Sequence, residues 1–183
     1  MSDSPDQLVA TASQTVGPFF HVYFKLETLG GKLFPPDAPG ERIRLTCKVF
    51  DGSGVPIPDA LIELWQANAN GEYCIGAGFG RQATTANGEC SFETIRPGRV
   101  PGPNGQSQAP HINVIVLARG LLRHFHTRIY FAGDRANEDD QALALVPDSR
   151  RSTLLAHLDD ERNGGWNFEI HLSGERETAF FDV

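Results

Sequence analysis

The sequence predicts an all-β fold, an antiparallel β-sandwich with long loops and one or two short helices. Three observations point there. Apolar and polar residues alternate in several short runs, the period of half-buried strands. The runs are separated at close intervals by turn signals, drawn from 19 Gly and 12 Pro in 183 residues, which favours short strands over a helical bundle. Only one stretch carries a helical signature. The length suits a single domain with a sizeable core, residues 1–183, that begins with an extended arm over about residues 1–40.

The arm comes first. Thr11-Ala-Ser-Gln-Thr15-Val-Gly17-Pro18-Phe19-Phe20-His21-Val-Tyr23 is apolar without a period and is interrupted by Gly17-Pro18, so by pattern alone it packs over the core as extended chain. From Arg42 to Phe50 the residues Ile43, Leu45, Cys47 and Val49 alternate with Arg44, Thr46 and Lys48. That is a strand with one face buried. Asp51-Gly-Ser-Gly is a turn, and Val55-Pro-Ile-Pro is restricted to an edge or a strand start because proline removes a ladder donor. Ala60 to Trp65 is a more buried strand. Thr84 to Phe92 reads as two strand ends around Asn87-Gly88, a dipeptide suited to a type I′ hairpin. His111 to Ala118 and Arg123 to Phe131 are two further strands. Asn137 to Leu145, with acidic residues in its first turn and Pro147 beyond its end, reads as a short helix. Trp166 to Leu172 is a final alternating strand, and both Trp65 and Trp166 are expected in the core for their large apolar area.

Charge and composition narrow the function. A net charge of −7 argues against nucleic acid and anionic membrane as partners, which need clustered cations. A small acidic ligand would need local basic residues. No apolar run approaches the length of a membrane span. Cys47, Cys74 and Cys90 lack the pair spacing of a metal site, and Met-Ser-Asp-Ser-Pro lacks the regions of a signal peptide, so a cytoplasmic location is expected.

The richest chemistry lies between Thr94 and Leu117. A Pro/Gly-rich loop leads through Pro110 into an apolar strand on which His111 and Asn113, two residues apart, share a face. That geometry suits a metal site at a strand mouth. With Trp65-Gln-Ala-Asn-Ala-Asn-Gly71-Glu-Tyr73 upstream, the stretch resembles the intradiol ring-cleavage dioxygenases, whose ferric ion is held by two tyrosines and two histidines. The resemblance places Tyr73 and His111 at two ligand positions, Val100 where the second tyrosine belongs, and Asn113 where the second histidine belongs. Valine has no lone pair, and one phenol, one imidazole and one amide make a poor ferric trap. Some members of the family pair two homologous chains, alpha and beta, of which only beta carries Fe(III).

The resemblance therefore implies an alpha-type, non-iron-binding subunit with a transthyretin-like sandwich, joined to a homologous beta chain in a symmetric alpha-beta hetero-oligomer. It further implies O₂-dependent cleavage of protocatechuate to 3-carboxy-cis,cis-muconate. The Thr-x-Ser-Gln-Thr-x-Gly-Pro pattern marks Thr15, Gly17 and Pro18 as lining the shared cleft, and Thr127-Arg128-Ile-Tyr-Phe marks Arg128 as reaching it. A guanidinium binds a carboxylate as a bidentate fork. Against that stands a surface arginine paired with Asp134 or Glu138. Tyr73 and His111 equally read as a strand-start residue and a core histidine satisfied by backbone. Two other functions fit the sequence: a non-catalytic β-sandwich binding module, and a self-sufficient metalloenzyme using His124, His126 and a third residue such as His21.

Overall fold

The computed structural model describes residues 11–17, 19, 30–159 and 165–182. Its strands are β1 (Arg42–Phe50), β2 (Leu61–Gln66), β3 (Phe79–Ala83), β4 (Glu89–Ile95), β5 (Val100–Pro101), β6 (Ser107–Gln108), β7 (His111–Leu117), β8 (Phe125–Phe131), β9 (Leu155–Asp159) and β10 (Gly165–His171). The helices are α1 (Gln141–Ala144) and α2 (Asp148–Arg151), with 3-10 turns beside them. Strands β3-β2-β7-β8 form one layer and β10-β1-β4 the other, while β5 and β6 form a separate ribbon. Strand β9 links the layers: Leu155 and Ala156 pair with β8, then His157 to Asp159 pair with β10.

Period-2 alternation explains what faces inward. Ile43, Leu45, Cys47 and Val49 of β1 meet Trp166, Phe168 and Ile170 of β10, and across the sandwich Ile62, Leu64, Ile112, Val114, Val116, Ile129 and Phe131, all buried. A one-residue slip of β7 would expose Ile112, Val114 and Val116 and turn its polar face inward. At roughly 1.5–3 kcal/mol per buried aliphatic side chain, that loss rivals the stability of a whole domain, so the register is fixed. It sets His111 and Asn113 on the outer face. A second apolar cluster, Ala109, Tyr130, Leu143, Val146 and Leu154, covers one end of that face.

The described part of the arm lies outside the strands, where Gly120 N–H donates to Thr15 Oγ1 at 3.1 Å. Nearer the sandwich, Leu33 and Phe34 are core residues, and Leu33 N–H donates to Glu93 O at 3.0 Å.

Several expectations are corrected. The sandwich is mostly antiparallel, but β1 pairs β10 and β8 pairs β9 in parallel, which local alternation cannot reveal. The turn at Asn87-Gly88 closes through Gly88 N–H to Thr85 O (2.9 Å) and Thr85 N–H to Glu89 O (2.8 Å). It is not a type I′ hairpin. Gly88 has φ +73° while Asn87 does not have positive φ, and the flanking strands part to opposite layers, β3 to β2 and β4 to β1. The expected helix from Asn137 is split at Asp140, which is extended (φ −76°, ψ 119°) and caps α1 by accepting from Leu143 N. Trp65 is 51% exposed because Ile62 and Leu64 take the inward positions of β2. Trp166 is in the core, with Phe131 edge-on at 4.9 Å and Arg96 5.3 Å from its ring.

Candidate functional site

The outer face of β2, β7 and β8 builds the site from cross-strand neighbours. Trp65 lies opposite Asn113, which lies opposite Arg128; His111 lies opposite Tyr130, and Ile115 opposite His126. These strands floor a cleft of about 400 Å³ lined by Trp65, Phe79, Asn113, Ile115, His126 and Arg128.

Asn113 donates its side-chain amide to the Tyr73 hydroxyl (3.0 Å) and to the Trp65 carbonyl (3.3 Å). Trp65 and Tyr73 rings lie 6.1 Å apart. Val100, on the β5–β6 ribbon opposite Gln108, is buried. His111 is buried, and its Nδ1 donates to the Ala109 carbonyl at 2.8 Å. Burial, then the Arg128 guanidinium, lowers its pKa, outweighing the carbonyl and Asp140. The imidazole is thereby held neutral.

At the covered end of this face lies a buried polar network. The Asp140 carboxylate accepts from Ala109 N (2.7 Å), Leu143 N (2.8 Å) and the Tyr130 hydroxyl (3.0 Å). Burial pushes the Tyr130 phenol well above its ordinary pKa, so it stays a donor to Asp140. Arg128 Nη1 donates to Gln108 Oε1 at 2.8 Å and reaches the Tyr130 oxygen at 3.4 Å. Asp134, one partner suggested for Arg128 by sequence, is taken by Arg96 at 2.8 Å.

His124 and His126 have ring centroids 4.6 Å apart. The His126 pKa is lowered by burial and then by His124. Among the described residues no group of three His, Cys, Asp or Glu side chains could hold a metal. His21 and Pro18 lie outside the described residues. Gly17 has φ +74°. Gln108, Tyr130 and Asp140 escaped sequence reasoning, although Tyr130, two residues after Arg128, shared its strand face.

A match to the family described as Dioxygenase spans residues 17–174. The chain belongs to the intradiol dioxygenase family.

Within the family it is 40% identical to the protocatechuate 3,4-dioxygenase alpha chain of Pseudomonas putida over 195 residues, covering 96% of this chain and 97% of the relative. It is 30% identical to the protocatechuate 3,4-dioxygenase beta chain of Burkholderia cepacia, covering 91% and 77%. Among solved structures it resembles the dioxygenase domain of a dioxygenase and carbohydrate-binding fusion from Streptomyces sp. SirexAA-E. That match has a TM-score of 0.65 and 29% identity, and it covers 92% of this chain and 99% of the other.

Intradiol dioxygenases depend on iron in general, so the residues here can be tested against a ferric ion. They do not fit. Val100 has no donor atom, and the Asn113 amide nitrogen donates to the Tyr73 hydroxyl and the Trp65 carbonyl, directing protons rather than a lone pair at that phenol. A hard trivalent cation needs several anionic donors converging on one point. In this intradiol dioxygenase chain Asn113 is instead hydrogen-bonded to Tyr73 and to the Trp65 carbonyl, and His111 to the Ala109 carbonyl.

Proposed function

We propose that this chain is the alpha, non-iron-binding subunit of a protocatechuate 3,4-dioxygenase, a single-domain chain of residues 1–183 with an N-terminal arm over about 1–40. It shapes the cleft of a homologous beta chain that carries Fe(III), in a symmetric, cytoplasmic alpha-beta hetero-oligomer. The pair cleaves protocatechuate with O₂ between its hydroxyl-bearing carbons, giving 3-carboxy-cis,cis-muconate.

The observation that carries this reading is the Asn113 to Tyr73 hydrogen bond at 3.0 Å, together with a buried, apolar residue at Val100. A chain of this family whose ligand positions are spent on one another needs a partner for its chemistry. Arg128, Thr15, Gly17 and Pro18 are its contributions to the substrate cleft. Arg128 is the most informative of them, because a guanidinium matches the carboxylate that distinguishes protocatechuate from plain catechol.

Co-expression with the beta chain tests both parts. The isolated chain is expected to be inactive and the pair active. In the pair, Arg128→Ala should lower kcat/KM for protocatechuate about ten- to hundredfold, the worth of one charge-assisted contact. Arg128→Lys should recover part of it. An uncharged 4-substituted catechol should be nearly unaffected, and equal loss on both substrates would withdraw the carboxylate assignment.

A further inference from the structure

The Arg128 guanidinium is held at one corner only. Nη1 is engaged by the Gln108 amide oxygen at 2.8 Å and by the Tyr130 hydroxyl oxygen at 3.4 Å. Neither Nε nor Nη2 has a partner among the described residues, and Arg128 lines the cleft.

Each holder is itself held. Gln108 Nε2 donates to the Pro101 carbonyl at 3.3 Å. That fixes which end of the amide is oxygen, and it ties Gln108 to the ribbon opposite Val100. The fully buried Tyr130 donates its only hydroxyl proton to Asp140 at 3.0 Å. Its lone pairs are thereby left for Arg128. Asp140 in turn is pinned by two backbone N–H groups, from Ala109 and Leu143. Every donor and acceptor in the chain from Asp140 to Arg128 thus has one permitted direction.

We infer that Gln108 and Tyr130 are positioning residues for substrate selection: they clamp Nη1 of Arg128 so that its Nε and Nη2 edge is presented, already oriented, to the carboxylate of an aromatic acid. The inference rests on the reading that Arg128 binds that carboxylate. A free arginine at an open cleft loses side-chain entropy when it binds; one held at a single corner has lost most of it already. The remaining edge carries two parallel N–H groups, the geometry of a bidentate carboxylate contact.

The test uses the alpha-beta enzyme with two substrates, protocatechuate and an uncharged 4-substituted catechol. Gln108→Leu removes the acceptor at a part-exposed position. It should raise KM for protocatechuate about three- to tenfold, the worth of one ordinary hydrogen bond because the guanidinium charge itself stays, and leave the uncharged catechol within about twofold. Gln108→Glu keeps the contact but neutralises the guanidinium, and should weaken protocatechuate at least as much with the same selectivity. Tyr130→Phe should act in the same direction by a smaller factor. In an Arg128→Ala background, Gln108→Leu should cause no further loss.

Equal loss on both substrates, or full additivity with Arg128→Ala, would overturn the inference. So would unchanged kinetics for Gln108→Leu while Arg128→Ala still loses protocatechuate selectively. If Arg128→Ala itself shows no carboxylate selectivity, the substrate reading fails first and this inference falls with it.

Discussion

The side-chain amide of Asn113 donates to the hydroxyl of Tyr73 at 3.0 Å, joining two positions at which the family resemblance expects metal ligands. Each residue satisfies the other. Asn113→His removes that donor and adds an imidazole, yet Val100 still offers nothing. The variant is expected to stay colourless when Fe(III) is supplied to the isolated chain. Val100→Tyr alone should stay colourless too. Visible absorption from tyrosinate-to-iron charge transfer in either single variant would mean that the remaining donors suffice.

Asp140 should be the most sensitive polar position in the chain. Replacing it with alanine strands the Ala109 and Leu143 N–H groups and the Tyr130 hydroxyl, each unsatisfied buried group costing about 1–3 kcal/mol. Asp140→Ala is therefore expected to destabilise by about 3 kcal/mol or more, read as a fall in Tm of roughly 6–12 °C. Asp140→Asn should lose less, because its amide keeps one acceptor oxygen. A Tm within a degree or two of wild type for Asp140→Ala would show that the network holds no fold together.

His111 gives the stability a pH dependence of definite sign. Its folded pKa is lowered by burial and by Arg128, so the unfolded chain binds a proton more readily than the folded one. Stability is then unaffected well above about pH 6.5, where both states are neutral. It declines as pH falls below that value toward the folded pKa, by at most about 1.4 kcal/mol per pH unit. Urea unfolding at pH 7.5 and 5.5 should show a larger drop for wild type than for His111→Gln. The same drop in both would assign the dependence to other groups.

The three thiols should separate cleanly. Cys47 and Cys90 face each other across β1 and β4 and are buried. The Cys47 thiol is raised well above its ordinary pKa, first by its hydrogen bond with Cys90 and then by burial, which suppresses the thiolate that reacts. Cys74 is partly exposed. Ellman's reagent should titrate one thiol in the folded chain and three after denaturation. Two or more fast thiols in the folded state would contradict the buried pair.

How far the sequence reached depended on whether the deciding interaction was local. Strands β1, β7, β8 and β10 were legible because alternation along one strand settles which face is buried. The parallel pairings and the crossing strand β9 were not, since they depend on distant partners. The split at Asp140 was hidden for a related reason. An aspartate ahead of Gln-Ala-Leu-Ala looks like an acid in a first helical turn, and only the approach of Ala109 and Tyr130 reveals it as a cap and an anchor. At the site, that Val100 offers no donor atom and Asn113 only a neutral amide was legible from residue type alone. That Gln108 and Tyr130 hold Arg128 required the β5–β6 ribbon to bring residue 108 across to β8.

Metal content decides most directly whether this chain completes an iron site carried by a partner. Iron should be measured in the purified chain alone and in the co-expressed alpha-beta complex, together with the visible spectrum. The account predicts no stoichiometric iron and no colour in the chain alone. It predicts one iron per alpha-beta pair, with red-brown absorption, in the complex, and unchanged iron there for Arg128→Ala. Stoichiometric iron bound by this chain on its own would contradict the account.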